Sequence, residues 1–160
     1  MIDGVIRKPL RIIPDDRGAL MHMMRSDWPE FSGFGEVYFS CVAPGAVKAW
    51  RRHTRMTMQL AVPSGAVQFA MFDTRPDSPS NGTLQIETLS PDNADTYALL
   101  IVPPGIWNGF RGVADMTSIV ANCASIPHDP TEAETLPSDC LLYTSPSPRD
   151  QRGSRMPSSA

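Results

Sequence analysis

The sequence predicts an all-β domain of the sandwich or jelly-roll barrel type, and three observations carry that prediction. Short apolar runs recur between turn signals, no stretch of a dozen residues keeps a helical period, and several runs alternate apolar with polar residues. Leu10–Ile13 and Ala19–Met24 flank the turn Pro14-Asp-Asp-Arg-Gly18. Glu36–Val42 and Val47–His53 are joined through Pro44-Gly45, and Met58–Val62 ends at Ser64-Gly65. In the next run Val67, Phe69 and Met71 share one face, because alternate residues of a strand point the same way. After the loop Arg75–Gly82, the run Thr83–Leu89 sets Leu84 and Ile86 against Gln85 and Glu87, which predicts a strand burying its Leu84 face. Pro91–Asp95 leads into Ala98–Val102, Pro103-Pro-Gly105 turns the chain, and Thr117–Cys123 is the last candidate strand. About nine short strands at this spacing suit a double-sheeted barrel, with no repeat or linker before Asp139.

At 160 residues, 41% hydrophobic and 19% charged, the chain has the size and composition of one globular domain. Its net charge of -3 offers no general attraction to nucleic acid or to anionic lipid, so an anionic ligand must be held by a few placed cations. The apolar stretch Ala98–Pro104 falls far short of the roughly 18 residues a membrane span needs. Met1-Ile-Asp-Gly lacks the basic and apolar parts of a signal peptide, and a cytoplasmic location is expected. Cys41, Cys123 and Cys140 are too few and too scattered for a disulfide framework or a zinc ribbon, and read as buried thiols.

From Cys140 the composition turns to Pro, Ser and Arg without any apolar period. Cys140–Asp150 can be back-translated into the sequence of a transposase-type DNA sequencing adapter, and Gly153–Ala160 into the distal part of the same adapter. Residues 140–160 are therefore expected to be a non-native, disordered tail that adds nothing to stability, and residues 1–139 to be the domain.

Gly45, Arg51, His53, Met58 and Gly65 stand at the spacing Gly-x5-His-x-His-x4-Glu-x6-Gly, and Pro103-x-Gly105-x-x-Asn108 at the spacing Pro-x-Gly-x-x-His. These two patterns resemble the paired signatures of the cupins, whose three His and one Glu converge on a metal inside the barrel. Here one of the four ligands remains, His53. Arg51 cannot lose its proton to ligate, and Met58 and Asn108 are poor donors to a divalent ion, so no metal and no other cofactor is expected.

Read together, Asp16-Arg-Gly18, Gly45-Ala-Val-Lys-Ala-Trp-Arg51, Phe72-Asp-Thr-Arg75 with Ser78 and Gly82, Leu89-Ser90, Ile101-Val-Pro-Pro-Gly-Ile-Trp-Asn-Gly-Phe110 and Asp129-Pro-x-Glu132 resemble, in that order, the dTDP-4-dehydrorhamnose 3,5-epimerase family. The likeness runs from about Gly4 to Asp139. It implies a cupin-type double-stranded β-helix, a homodimer, a dTDP-activated 4-keto-6-deoxyhexose as ligand, and epimerisation by proton transfer next to the ketone without a cofactor.

Such chemistry needs a base at the α-carbon, an acid on the opposite ring face, donors for the enolate and cations for the diphosphate. The family's base motif, Arg-Gly-Leu-His, aligns with Lys48-Ala-Trp-Arg51, and its acid tyrosine with Asn122, so neither position carries its proton-transfer group. A guanidinium can stabilise an enolate or clamp phosphate, but it cannot abstract a proton near neutral pH. His53 shares the Arg51 face and reads either as a displaced base or as a histidine held by hydrogen bonds; Asp139 falls near the family's carboxylate partner of the catalytic histidine. Arg17 and Lys48 align with substrate-contacting cations, and Arg17 reads equally as a turn residue paired with Asp15 or Asp16. Arg75 closes the Asp-x-Arg motif, with a loop ion pair to Asp73 or Asp77 as its other reading. Trp107, Asn108 and Asn122 complete the expected binding wall, while plain packing is the favoured reading of Trp50 and Trp107. Two functions stay open: a sugar-nucleotide epimerase with shifted proton transfer through His53, and a catalytically impaired relative that only binds a nucleotide sugar or serves a structural role.

Overall fold

The structure, a computed structural model, describes residues 1–141, so all but the first two residues of the expected tail lie outside the described residues. Strands form where the alternating runs predict them, and at three further places. In chain order they are β1 Ile6–Pro9, β2 Ile12–Asp15, β3 Gly18–Met21, β4 Glu36–Val42, β5 Val47–His53, β6 Met58–Ser64, β7 Val67–Asp73, β8 Leu84–Leu89, β9 Ala98–Val102, β10 Ile106–Gly112, β11 Ser118–Ala124 and β12 Ala133–Thr135. There is no helix among the described residues. One antiparallel sheet has the order β1-β9-β6-β11-β4 and a second the order β12-β5-β10-β7-β8, while β2 and β3 form a separate hairpin. This is the cupin-type jelly roll.

The two sheets bury their inner faces against one another. Leu60, Val62, Leu100 and Val120 from the first sheet meet Phe69, Met71, Leu89 and Ile106 from the second, all almost fully buried. Each such side chain contributes about 1.5–3 kcal/mol through removal of apolar area from water. The outer faces are covered as well. Met21, Met23, Met24 and Trp28 pack over Leu99, Ile101 and Ala61, and Trp50, Ala70 and Trp107 form a further cluster with Phe72, Leu84 and Ile86.

That last cluster alters the expected role of β8. Its alternation is present, but Leu84 and Ile86 pack half-buried on the outer layer, and the buried Gln85 accepts the backbone N–H of Ile2 at 2.7 Å. A polar residue is accommodated there because its oxygen receives a partner. Of the cysteines, Cys123 is buried as expected, whereas Cys41 and Cys140 are exposed.

Candidate active site

The site begins with an irregularity in β5. Arg51 pairs with Asn108 and Lys48 with Phe110, so two residues of β5, Ala49 and Trp50, stand opposite the single residue Gly109 of β10. A strict period of two would send Lys48 and Arg51 to opposite faces. The bulge instead brings Lys48, Arg51 and His53 to one cavity and buries the Trp50 side chain in the outer cluster. Glycine is required opposite the bulge, since a Cβ on residue 109 would lie 2.5 Å from the Ala49 Cβ.

The cavity lies between the sheets and has a volume of about 390 Å³. Its apolar wall is made by Met58, Leu60, Phe110 and Val120; its polar groups are Tyr38, Ser40, Lys48, Arg51, His53, Asn108 and Asn122. Thr135 and Leu136 border it, because the chain after β12 continues beside β5 through a reciprocal backbone pair between Trp50 and Leu136.

His53 is buried at this cavity, and its Nδ1 is hydrogen-bonded to Oε1 of Glu132. The other carboxylate oxygen, Oε2, accepts the backbone N–H groups of Thr54, Arg55 and Met56 at 3.2, 3.1 and 3.2 Å. Burial by itself would raise the Glu132 carboxyl; the hydrogen bonds from His53 and from the Arg55 and Met56 amides outweigh it and hold the group below its ordinary value. An ionised Glu132 accepts the Nδ1 proton and so leaves the lone pair on Nε2. The Asp129-Pro-x-Glu132 segment builds this presentation. Asp129 accepts the Thr131 N–H and hydroxyl, and its own carbonyl accepts the Glu132 N–H.

Two cations adjoin the dyad. Lys48 Nζ donates to Ser40 Oγ at 2.9 Å and to the Cys41 carbonyl at 2.8 Å. The Arg51 side chain is exposed and makes no hydrogen bond or ion pair among the described residues, while its carbonyl accepts Asn108 Nδ2 at 2.9 Å. Asn122 is nearly inaccessible. Its Oδ1 accepts the Gln59 N–H at 3.0 Å, and its Nδ2 donates to the Tyr38 hydroxyl oxygen at 2.9 Å.

Other expected site residues stand elsewhere. Arg17 is at the hairpin tip, solvent-exposed and paired with Asp15 at 2.9 Å. Arg75 closes a loop: with Ser78 and Ser80 it donates to the buried Asp73, whose carboxyl the Arg75 guanidinium holds far below the usual carboxylate range despite its burial. Trp107 packs in the outer cluster beneath the Arg52 guanidinium, 4.6 Å from its ring centroid. Asp139 is exposed and makes no hydrogen bond or ion pair with His53; the carboxylate on His53 is that of Glu132. Glu132 and Tyr38 are the residues that reading the sequence did not single out. The Asp129-Pro-x-Glu132 motif was the available signal for the first, and the second becomes visible only through the pairing of β4 with β11.

The four positions that would ligate a metal in the cupin pattern present one guanidinium, one imidazole already engaged by Glu132, a thioether and an amide. That donor set does not suit a divalent cation. Among the described residues no group of three or more His, Cys, Asp or Glu side chains is arranged to hold one.

No family model matches the chain. Individual proteins do. The chain is 32% identical over 123 residues to the probable low-salt glycan biosynthesis epimerase Agl13 of Haloferax volcanii, covering 76% of this chain and 77% of that protein. It is 31% identical over 141 residues to the spore coat polysaccharide biosynthesis protein SpsL of Bacillus subtilis, covering 87% and 91%. The crystal structure of a dTDP sugar isomerase from Desulfovibrio desulfuricans G20 superposes with a TM-score of 0.82 at 46% identity over 87% of each chain. The chain belongs to the dTDP-4-dehydrorhamnose 3,5-epimerase family. A solved epimerase from Mycobacterium tuberculosis and a dTDP-4-dehydrorhamnose 3,5-epimerase from Bacillus anthracis, at 18% and 20% identity, share the fold with TM-scores of 0.73 and 0.72. The His53–Glu132 pair stands one strand period beyond Arg51 along β5.

Proposed function

We propose that this epimerase-family protein inverts a carbon next to the ketone of a dTDP-activated 4-keto-6-deoxyhexose, with His53 as the base. The observation that carries the reading is the buried His53–Glu132 pair at the cavity. Nε2 of His53 takes the proton from the α-carbon, and the Glu132 carboxylate stabilises the imidazolium that results. Arg51, which has no side-chain partner among the described residues, meets the developing enolate oxygen, and Lys48, farther along β5, meets the diphosphate. The thymidine diphosphate is supported by the similarity to the Desulfovibrio dTDP sugar isomerase. The same reading makes the protein a cytoplasmic homodimer acting without a cofactor in polysaccharide biosynthesis, with dTDP-4-dehydrorhamnose the first substrate to try. Exposed Val37 and Phe39 on the edge strand β4 supply apolar surface for a second copy, and the free cysteines agree with a reducing compartment.

The test is solvent exchange. With dTDP-4-keto-6-deoxyglucose in heavy water, the full chain should incorporate deuterium at an α-carbon, and His53→Asn should reduce the rate about 10²–10⁴-fold, the usual contribution of a general base. A protein that binds dTDP but exchanges no proton is a binding relative, and the proposal fails.

A further inference from the structure

We propose that Tyr38 is the acid of this site, delivering the proton to the ring face opposite His53. The inference rests on the epimerase reading above and assigns the half of the reaction that it leaves without a residue. Asn122, at the family's acid position, carries an amide that cannot serve as a proton donor to carbon. Its side chain is moreover committed: Oδ1 is fixed by the Gln59 N–H, which turns Nδ2 toward Tyr38. Tyr38 is the direct cross-strand partner of Asn122, and its hydroxyl oxygen receives that N–H at 2.9 Å. The phenol is therefore an acceptor toward the protein, and its own proton has no acceptor among the described residues. It is free for a ligand in the cavity that Tyr38 lines.

Placement matches the stereochemistry. His53 lies on β5 of the second sheet and Tyr38 on β4 of the first, so a sugar ring held between the sheets has the imidazole on one wall and the phenol on the other. In the first step the α C–H bond breaks, its proton goes to His53 Nε2, and its electron pair forms the enolate. In the second the enolate carbon takes the Tyr38 hydroxyl proton on the opposite face, restoring the ketone and leaving a phenolate. The Asn122 N–H faces that new charge, a contact that strengthens as the oxygen becomes negative. Water then returns a proton to the phenolate and removes one from His53, and nothing is oxidised or reduced.

The experiment follows deuterium exchange and inversion separately by NMR, using the full chain with dTDP-4-keto-6-deoxyglucose in heavy water. In Tyr38→Phe, His53 still removes and returns a proton on its own face. Exchange should stay within about threefold of the unmodified protein while inversion falls about 10²–10⁴-fold. Binding of dTDP and the melting temperature check that the cavity is intact, and loss of one hydroxyl from a part-exposed side chain leaves folding in place. Inversion at the unmodified rate, or exchange and inversion falling together, overturns the assignment to Tyr38. Absence of exchange in the unmodified protein overturns instead the epimerase reading beneath it, and the proposal with it.

Discussion

Replacing Glu132 by Gln changes one charge and leaves the shape of the site, so its outcome can be worked from the hydrogen bonds. The Glu132 side chain is 2% exposed, with one oxygen on His53 Nδ1 and the other on three backbone N–H groups. A glutamine has one acceptor and one donor group to place there. Its NH₂ cannot face three N–H donors, so its oxygen takes them and the NH₂ turns to His53. Nδ1 then becomes an acceptor, the ring proton moves to Nε2, and the nitrogen facing the substrate can no longer receive a proton. Carboxylate-to-amide changes behind a catalytic histidine cost about 10⁴-fold through this switch of tautomer. Stability should fall far less, by about 1–3 kcal/mol for the lost charge-assisted bonds.

The same variant alters the acid limb of stability. Burial opposes ionisation of Glu132, but hydrogen bonds from His53 and from the Arg55 and Met56 amides bring it below the ordinary value of 4.5. A carboxyl lowered on folding stabilises the fold above its unfolded value, and that stabilisation is lost as pH falls through the folded value. The unmodified protein should therefore lose melting temperature as the pH drops below about 4.5, and Glu132→Gln should lose less over the same range. Deuterium exchange at pH 7 and melting curves between pH 3 and 7 read both effects. A variant that keeps more than about a tenth of the exchange rate, against the 10⁴-fold loss expected, would refute the tautomer argument.

Two further changes probe the frame around the site. Asp73→Asn removes the charge that Arg75, Ser78 and Ser80 converge on, and should cost about 2–4 kcal/mol in chemical denaturation while exchange per folded molecule is unchanged; an equal loss of exchange would mean that Arg75 belongs to the site. Gly109→Ala sets a Cβ 2.5 Å from the Ala49 Cβ, so the bulge must shift, with a cost of about 1–3 kcal/mol and a fall in dTDP affinity by calorimetry. Unchanged melting and affinity would show that the bulge does not position Lys48 and Arg51.

Short apolar runs between turn signals made most strands legible: β6 and β9 are each buried over five consecutive residues, and β7 buries Val67, Phe69 and Met71 on one face. The strands that reading missed lack that signature. β10 carries Asn108, Gly109 and Gly112, residues with little strand preference, and is a strand because β5 and β7 pair with it on both sides. β1 contains Lys8 and Pro9 on a sheet edge, and β12 is three residues long. In the site, the shared face of Arg51 and His53 follows from spacing alone. Lys48 joins them only through the bulge, and Glu132 arrives from 79 residues away. Tyr38 owes its place to the register of β4 against β11. Such long-range pairings are decided by the whole sheet and are not written in any local window.

With His53 as the proposed base, the geometry of the chemistry is kept. Two residues are one strand period, so an imidazole at 53 in place of 51 stays on the inner face while moving about 6–7 Å along β5. Position 51 is thereby free to carry a cation. This decides what Arg51→His should do, a change that would place an imidazole one strand period before His53. The new imidazole would find no carboxylate behind it, because Glu132 is held by His53 and by three backbone amides, and the exposed Asp139 makes no contact with the dyad. It would also remove the guanidinium proposed to meet the enolate. Arg51→His should therefore lower the exchange rate, by about 10–10³-fold for loss of one charge-stabilising group, and leave the His53 requirement intact. A rise in exchange that survives His53→Asn would show that position 51 is the working base position and that the His53–Glu132 pair is structural.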